Sequence, residues 1–140
     1  MSVKNREKRI ENLQRSNKES HRLIVDSLRQ ALYTMLKTRD IDSIKVVDLV
    51  KAAGVSRGGF YRNFYLVMVE YFTRRYTELE KKKLGTDILD TQLAYSIRFY
   101  CMGSVGMTQE WVLTDNITSA ETVVQMMFNS MPENLRKILF

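Results

Sequence analysis

The stretch Lys45-Val-Val-Asp-Leu-Val-Lys-Ala-Ala-Gly-Val-Ser-Arg-Gly-Gly-Phe-Tyr-Arg-Asn-Phe64 decides how this chain is read. Val46, Leu49, Val50 and Ala53 recur at helical spacing and give residues 46–53 the apolar face of a short helix. Gly54 follows, and glycine readily enters the left-handed conformation that a helix C-terminus requires. Ser56 then offers a hydroxyl to the orphan backbone N–H groups of a second short helix over residues 57–63. Val55, Phe60 and Phe64 bury that helix against the first. Two short helices joined by a three-residue turn are the layout of a helix-turn-helix. On this reading Arg57, Gly58, Gly59, Tyr61, Arg62 and Asn63 face outward. Glycine lets a backbone approach a groove, a guanidinium can donate two bonds to a guanine edge, and Tyr or Asn can bond phosphates.

Working outward, Leu23, Ile24, Leu28, Ala31, Leu32, Met35 and Leu36 mark residues 20–37 as an amphipathic helix. Residues 2–19 hold only Val3, Ile10 and Leu13 as apolar anchors and read as a basic arm that can extend this helix. Asp40, Asp42 and Ser43 break the period. Beyond Phe64, Val69, Phe72, Tyr76 and Leu79 predict a longer helix over residues 66–83, with Lys81, Lys82 and Lys83 at its C-terminal end. Residues 84–90, with Gly85, read as a linker. Residues 91–113 carry apolar rows on two sides, which predicts a helix packed on two sides. Thr118-Ser119-Ala120-Glu121 fits a capping box opening a last helix through Val123, Val124, Met127, Phe128 and Met131, stopped at Pro132.

The 140 residues suit one domain or two small helical subdomains. One proline and six glycines supply too little turn punctuation for a many-stranded sheet, so the expected class is all-α. The net charge of +6 is uneven: residues 1–83 hold 19 Lys and Arg against 10 Asp and Glu, and residues 84–140 hold 3 against 6. A basic first half is either a solvated face or the footprint of an anionic partner, and charge alone does not decide between them. Cys101, the one cysteine, lies in an apolar row and is expected to be an inert buried thiol. His21, the one histidine, is expected at the surface. No metal set, catalytic triad, phosphate loop or dinucleotide fingerprint appears, so the expectation is no enzyme, no cofactor and no metal. The charged N-terminus lacks a signal peptide's apolar region, which points to a cytoplasmic, non-membrane protein.

Ile44, Val46, Asp48, Leu49, Ala53-Gly54-Val55-Ser56, Phe60-Tyr61 and Phe64 together resemble the tetracycline-repressor (TetR) family of transcriptional regulators. The likeness is close over residues 20–64 and looser over 95–131. It implies a three-helix DNA-binding head and a helical body whose last two long helices pair with those of a second subunit. The expected DNA contacts are then Lys45, Ser56, Arg57, Gly58, Gly59, Tyr61, Arg62 and Asn63. Tyr95, Phe99, Met102 and Trp111 become candidates for an apolar effector pocket, and Gly103, Gly106, Val123, Val124, Met127 and Phe128 for a dimer interface. The expected domains are an arm over 1–19, a helix-turn-helix domain over 20–65 and a dimerisation and effector domain over 66–140. The implied function is a homodimeric repressor on a palindromic double-stranded DNA operator, released by a small apolar ligand. The rival is a helical protein-interaction adaptor.

Three departures from the family pattern stand out. Lys45 occupies the position of a capping Thr, Tyr65-Leu66-Val67-Met68-Val69 replaces the usual polar turn after Phe64, and few residues separate the fourth helix from the proposed dimer helices.

Overall fold

The computed structural model describes residues 2–85, 89–114 and 118–139. Six helices account for almost all of them, and no strand occurs among the described residues. The class is all-α, as composition and periodicity indicate.

Helix α1 spans Val3–Leu36, so the basic arm extends the amphipathic helix and forms the first half of one 34-residue helix. Ser2 caps it by accepting from the Asn5 backbone N–H. Every residue from 2 to 20 is exposed, whereas Ile24, Leu28, Ala31, Leu32 and Met35 are half-buried. A turn and a single 3-10 segment, Ile41–Ser43, lead to α2, Val46–Ala53. Arg39 joins these pieces, donating to the Ser43 carbonyl at 2.6 Å and to the Asp48 carboxylate at 3.3 Å. Gly54 ends α2 at φ +67°, a conformation that a Cβ would strain, and passes the chain to Ser56.

Helix α3, Arg57–Leu84, corrects one expectation. The sequence reading separates a helix over 57–63 from another over 66–83; the protein makes one helix of 28 residues. The cause is local, because Tyr65-Leu66-Val67-Met68-Val69 contains no Gly, Pro or capping side chain that could stop it. The chain nonetheless divides into two compact units, 1–63 and 64–140, and the division falls inside α3. The charge asymmetry follows it: residues 1–63 carry 14 Lys and Arg against 7 Asp and Glu, and residues 64–140 carry 8 against 9.

The second unit contains the rest of α3, then α4 (Thr91–Leu113), α5 (Ala120–Asn129) and α6 (Glu133–Leu139). Asp90 caps α4 through the Leu93 N–H. The cap of α5 is Ser119, which accepts from the Thr122 N–H, one residue later than the capping box places it. Thr118 is otherwise engaged, its carbonyl accepting from the Trp111 indole at 2.7 Å. Part of the linker read over 84–90 and residues 115–117 lie outside the described residues.

Tyr76, Leu93, Ile97, Cys101 and Leu135 form the core of this unit, with Phe72, Tyr100 and Met131 against it. Leu135 belongs to α6, a helix the sequence reading did not anticipate beyond Pro132. Its carbonyl accepts from the Tyr76 hydroxyl at 2.7 Å, and Asn134 donates to Ser96 at 2.8 Å. These bonds tie α6 to α3 and α4. Burial pushes the Tyr76 phenol up to about 12 and the Cys101 thiol up to about 11, so both stay neutral at physiological pH. No described helix is long and apolar enough to cross a membrane, and the described residues contain no cluster of three or more metal-ligating side chains.

Candidate nucleic-acid interface and ligand cleft

The first unit presents α2, the Gly54 turn and the start of α3 as a helix-turn-helix. Ser56 caps α3: its hydroxyl accepts from the Gly59 N–H at 3.0 Å and its carbonyl from the Phe60 N–H at 2.9 Å. A Cβ on Gly59 would come within 3.0 Å of that same hydroxyl, so Gly59 keeps the cap compact. Around Gly58 there is nothing within 4 Å, and it is exposed. Arg57, Arg62 and Lys45 are exposed as well. Lys45 occupies the N-cap position of α2 and makes no side-chain cap, since an ammonium has no lone pair to accept an N–H. The solvent-facing set is therefore Lys45, Ser56, Arg57, Gly58 and Arg62, with Gly59 half-buried among them.

Tyr61 and Asn63 do not face outward as the sequence reading places them. Asn63 is 5% exposed; its Nδ2 donates to the Gly59 carbonyl at 2.7 Å, which leaves Oδ1 to accept from Nδ1 of His21 on α1. His21 is half-buried rather than a surface residue for the same reason. Sorting by residue type turned a polar side chain outward, whereas a partner on α1 holds it in. Tyr61 is also 5% exposed, edge-on to Phe60, with its hydroxyl bonded to no protein group among the described residues. Burial raises its pKa, and the nearby Arg57 charge offsets part of that rise. Burying the ring is what holds Tyr61 inside, even at the expense of an unsatisfied hydroxyl.

In the second unit, α4 and α5 enclose a cleft of about 480 Å³. Phe99, Tyr100, Met107 and Trp111 form its α4 wall, and Val123, Met126 and Met127 its α5 wall. Tyr100 donates to the Met127 carbonyl at 2.9 Å and holds the two helices together. Of the expected pocket residues, Phe99 and Trp111 line this cleft, and Tyr95 and Met102 do not. The 100° step per residue carries Tyr95, Met102 and Leu113 onto a stripe between 56% and 63% exposed, and Phe99, 68% exposed, stands where that stripe meets the cleft. Of the residues expected at a dimer interface, Gly103, Val123 and Met127 line the cleft. Gly106 and Val124 are exposed, and Phe128 lies under the Arg136 guanidinium, 5.4 Å from its ring centre. Among the described residues, nothing beyond the adjoining turns of α4 lies within 4 Å of where a Cβ would sit at Gly103 or Gly106.

Residues 50–133 match the family described as the transcriptional regulator C-terminal region of TetR type. The chain belongs to the TetR family of transcriptional regulators. The match runs from the last turn of α2 to the start of α6 and so takes in the cleft and the exposed α4 stripe. No curated protein and no solved structure matches the chain. As a TetR-family member it is a transcriptional regulator with an all-α fold.

Proposed function

We propose that this regulator is a homodimeric repressor that reads a palindromic DNA operator through the α2–α3 corner. The observation that carries this is the exposed set Lys45, Arg57, Gly58 and Arg62 around a capped helix start, in the unit that holds most of the positive charge. Arg57 and Arg62 supply forked donors for base edges or phosphates, and Gly58 leaves the backbone room to approach. Tyr61 and Asn63 serve as packing and strut inside the head. The exposed half of α1 adds Lys4, Lys8, Arg9 and Arg15 for contact with the DNA backbone.

A second copy covers the α4 stripe of Tyr95, Phe99, Met102 and Leu113. Their spacing of four, three and eleven residues keeps one seam facing a partner helix, and Gly106 on the same seam admits close approach. Two heads then sit on two half-sites. The cleft is the effector site, and an effector acts by binding better to a state whose head spacing mismatches the operator.

Anisotropy titrations of the chain's own upstream DNA and of a scrambled duplex, across a salt series, test this. Arg57→Ala and Arg62→Ala should each weaken the specific complex by about 1–3 kcal/mol if they reach base edges. Equal, weak binding to both duplexes, unmoved by either substitution, would favour a helical adaptor that binds another protein.

A further inference from the structure

The first half of α1 stands clear of the rest of its unit. Every residue from 2 to 20 is exposed, so about 25 Å of helix projects beyond His21, the first half-buried position. Lys4, Lys8, Arg15, Lys18 and Arg22 are separated by four, seven, three and four residues, which sets all five on one face over about 27 Å. All five are exposed, and none enters an ion pair among the described residues. Glu11 lies on that face and Glu19 beside it, so positive charge prevails there.

The head uses the opposite face. Val3, Ile10, Leu13 and Asn17 continue the row of Ile24, Leu28, Ala31 and Met35, which is half-buried where α1 meets α2. The stripe of cations is therefore turned away from the packed side of α1, with nothing in its own unit to neutralise it.

We propose that this stripe is a helical rail for the phosphate backbone of duplex DNA outside the operator half-site. It rests on the DNA reading above and adds to it a contact that carries no sequence information. The form of the arm sets the mode of contact. An α-helix with its side chains is about 10–12 Å across and the minor groove of B-DNA about 6 Å wide, so the arm cannot thread that groove. No Asn or Gln lies on the stripe to read an adenine edge, and three of its five cations are lysines, point charges that hold phosphate. Because the arm projects past the head, the phosphates that it meets lie beyond the bases under the α2–α3 corner. At 3.4 Å per base pair the rail spans about 8 base pairs.

Anisotropy titrations of the full chain test this with two probes, the chain's own upstream duplex trimmed to its protected core and that core extended by about ten base pairs of scrambled sequence on each side. The extended duplex should bind at least about tenfold tighter at low salt, with a plot of log K against log salt steeper by about 2 or more, at about 0.9 per phosphate contact. A variant combining Lys4→Gln, Lys8→Gln, Arg15→Gln and Lys18→Gln should lose that gain and the added slope, yet still prefer the operator core to a scrambled core. Arg6→Gln removes one charge from the opposite face and should keep the parent's slope, whereas Lys8→Gln should lower it by about 0.9. Circular dichroism verifies that each variant keeps its helix. Equal binding of the two probes, or a flank gain that the fourfold variant retains, would overturn the rail and assign the stripe to an acidic protein surface. A parent that gains from flanks but does not distinguish operator from scrambled core refutes the operator reading and leaves the rail standing. Binding to no duplex refutes both.

Discussion

Replacing Asn63 by Ala separates a strut from a DNA contact. In the structure Asn63 is 5% exposed and joins two segments, donating to the Gly59 carbonyl at 2.7 Å and accepting from His21 of α1. Removing the amide deletes both bonds, each contributing about 1 kcal/mol net. The Gly59 carbonyl keeps the backbone bond of its own helix, and half-buried His21 can turn to water, so neither loss reaches the full penalty of a stranded buried group. The expected destabilisation of the first unit is therefore about 2 kcal/mol. In a unit of 63 residues each kcal/mol lowers the midpoint by about 4–8 °C, so thermal melts followed by far-UV circular dichroism should show a drop of about 8–16 °C. Exposed Arg62→Ala, as the control, should stay within about 0.5 kcal/mol of the parent. If Asn63→Ala keeps its full stability and instead loses DNA affinity in the folded state, the strut assignment is refuted and the side chain reaches the phosphate backbone.

Alkaline pH should loosen the second unit in two overlapping windows. The folded Cys101 thiol sits at about 11 against an ordinary 9.0, and Tyr76 at about 12 against 10.0, both held up chiefly by burial. The unfolded chain then releases protons first, so stability is full below about pH 9 and falls by about 1.4 kcal/mol per pH unit per group as pH rises towards the folded values. Urea titrations between pH 8 and 12 should follow this, and Cys101→Ala should remove the lower window. The same burial predicts that a thiol reagent labels Cys101 only after unfolding, so rapid labelling of the native chain would contradict it. Gly54→Ala should destabilise the first unit by about 1–2 kcal/mol from backbone strain alone, since nothing lies within 4 Å of the added Cβ, whereas Gly54→Asn should recover part of the loss. Met102→Glu places a charge on the exposed α4 stripe; sedimentation should show a monomer with unchanged helicity, and a persistent dimer would place the interface elsewhere.

Sequence alone determined the class, the bounds of α2 and α4 and the Ser56 cap, because each rests on local spacing or on one residue's backbone preference. It also located the charge asymmetry that the two units follow. The continuity of α3 was half legible: residues 65–69 show the missing stop, and family likeness argued for a turn that the chemistry does not supply. Tertiary structure decided the rest. Which polar residue near Arg57 faces solvent depends on what stands opposite, and His21, 42 positions away, is what draws Asn63 inward. Leu135 became core through a carbonyl offered to Tyr76, 59 residues earlier, a pairing that no short-range period encodes. Which α4 residues line the cleft has the same origin. Periodicity says which residues share a face; only packing against α5 says whether that face closes a cleft or remains open for a partner.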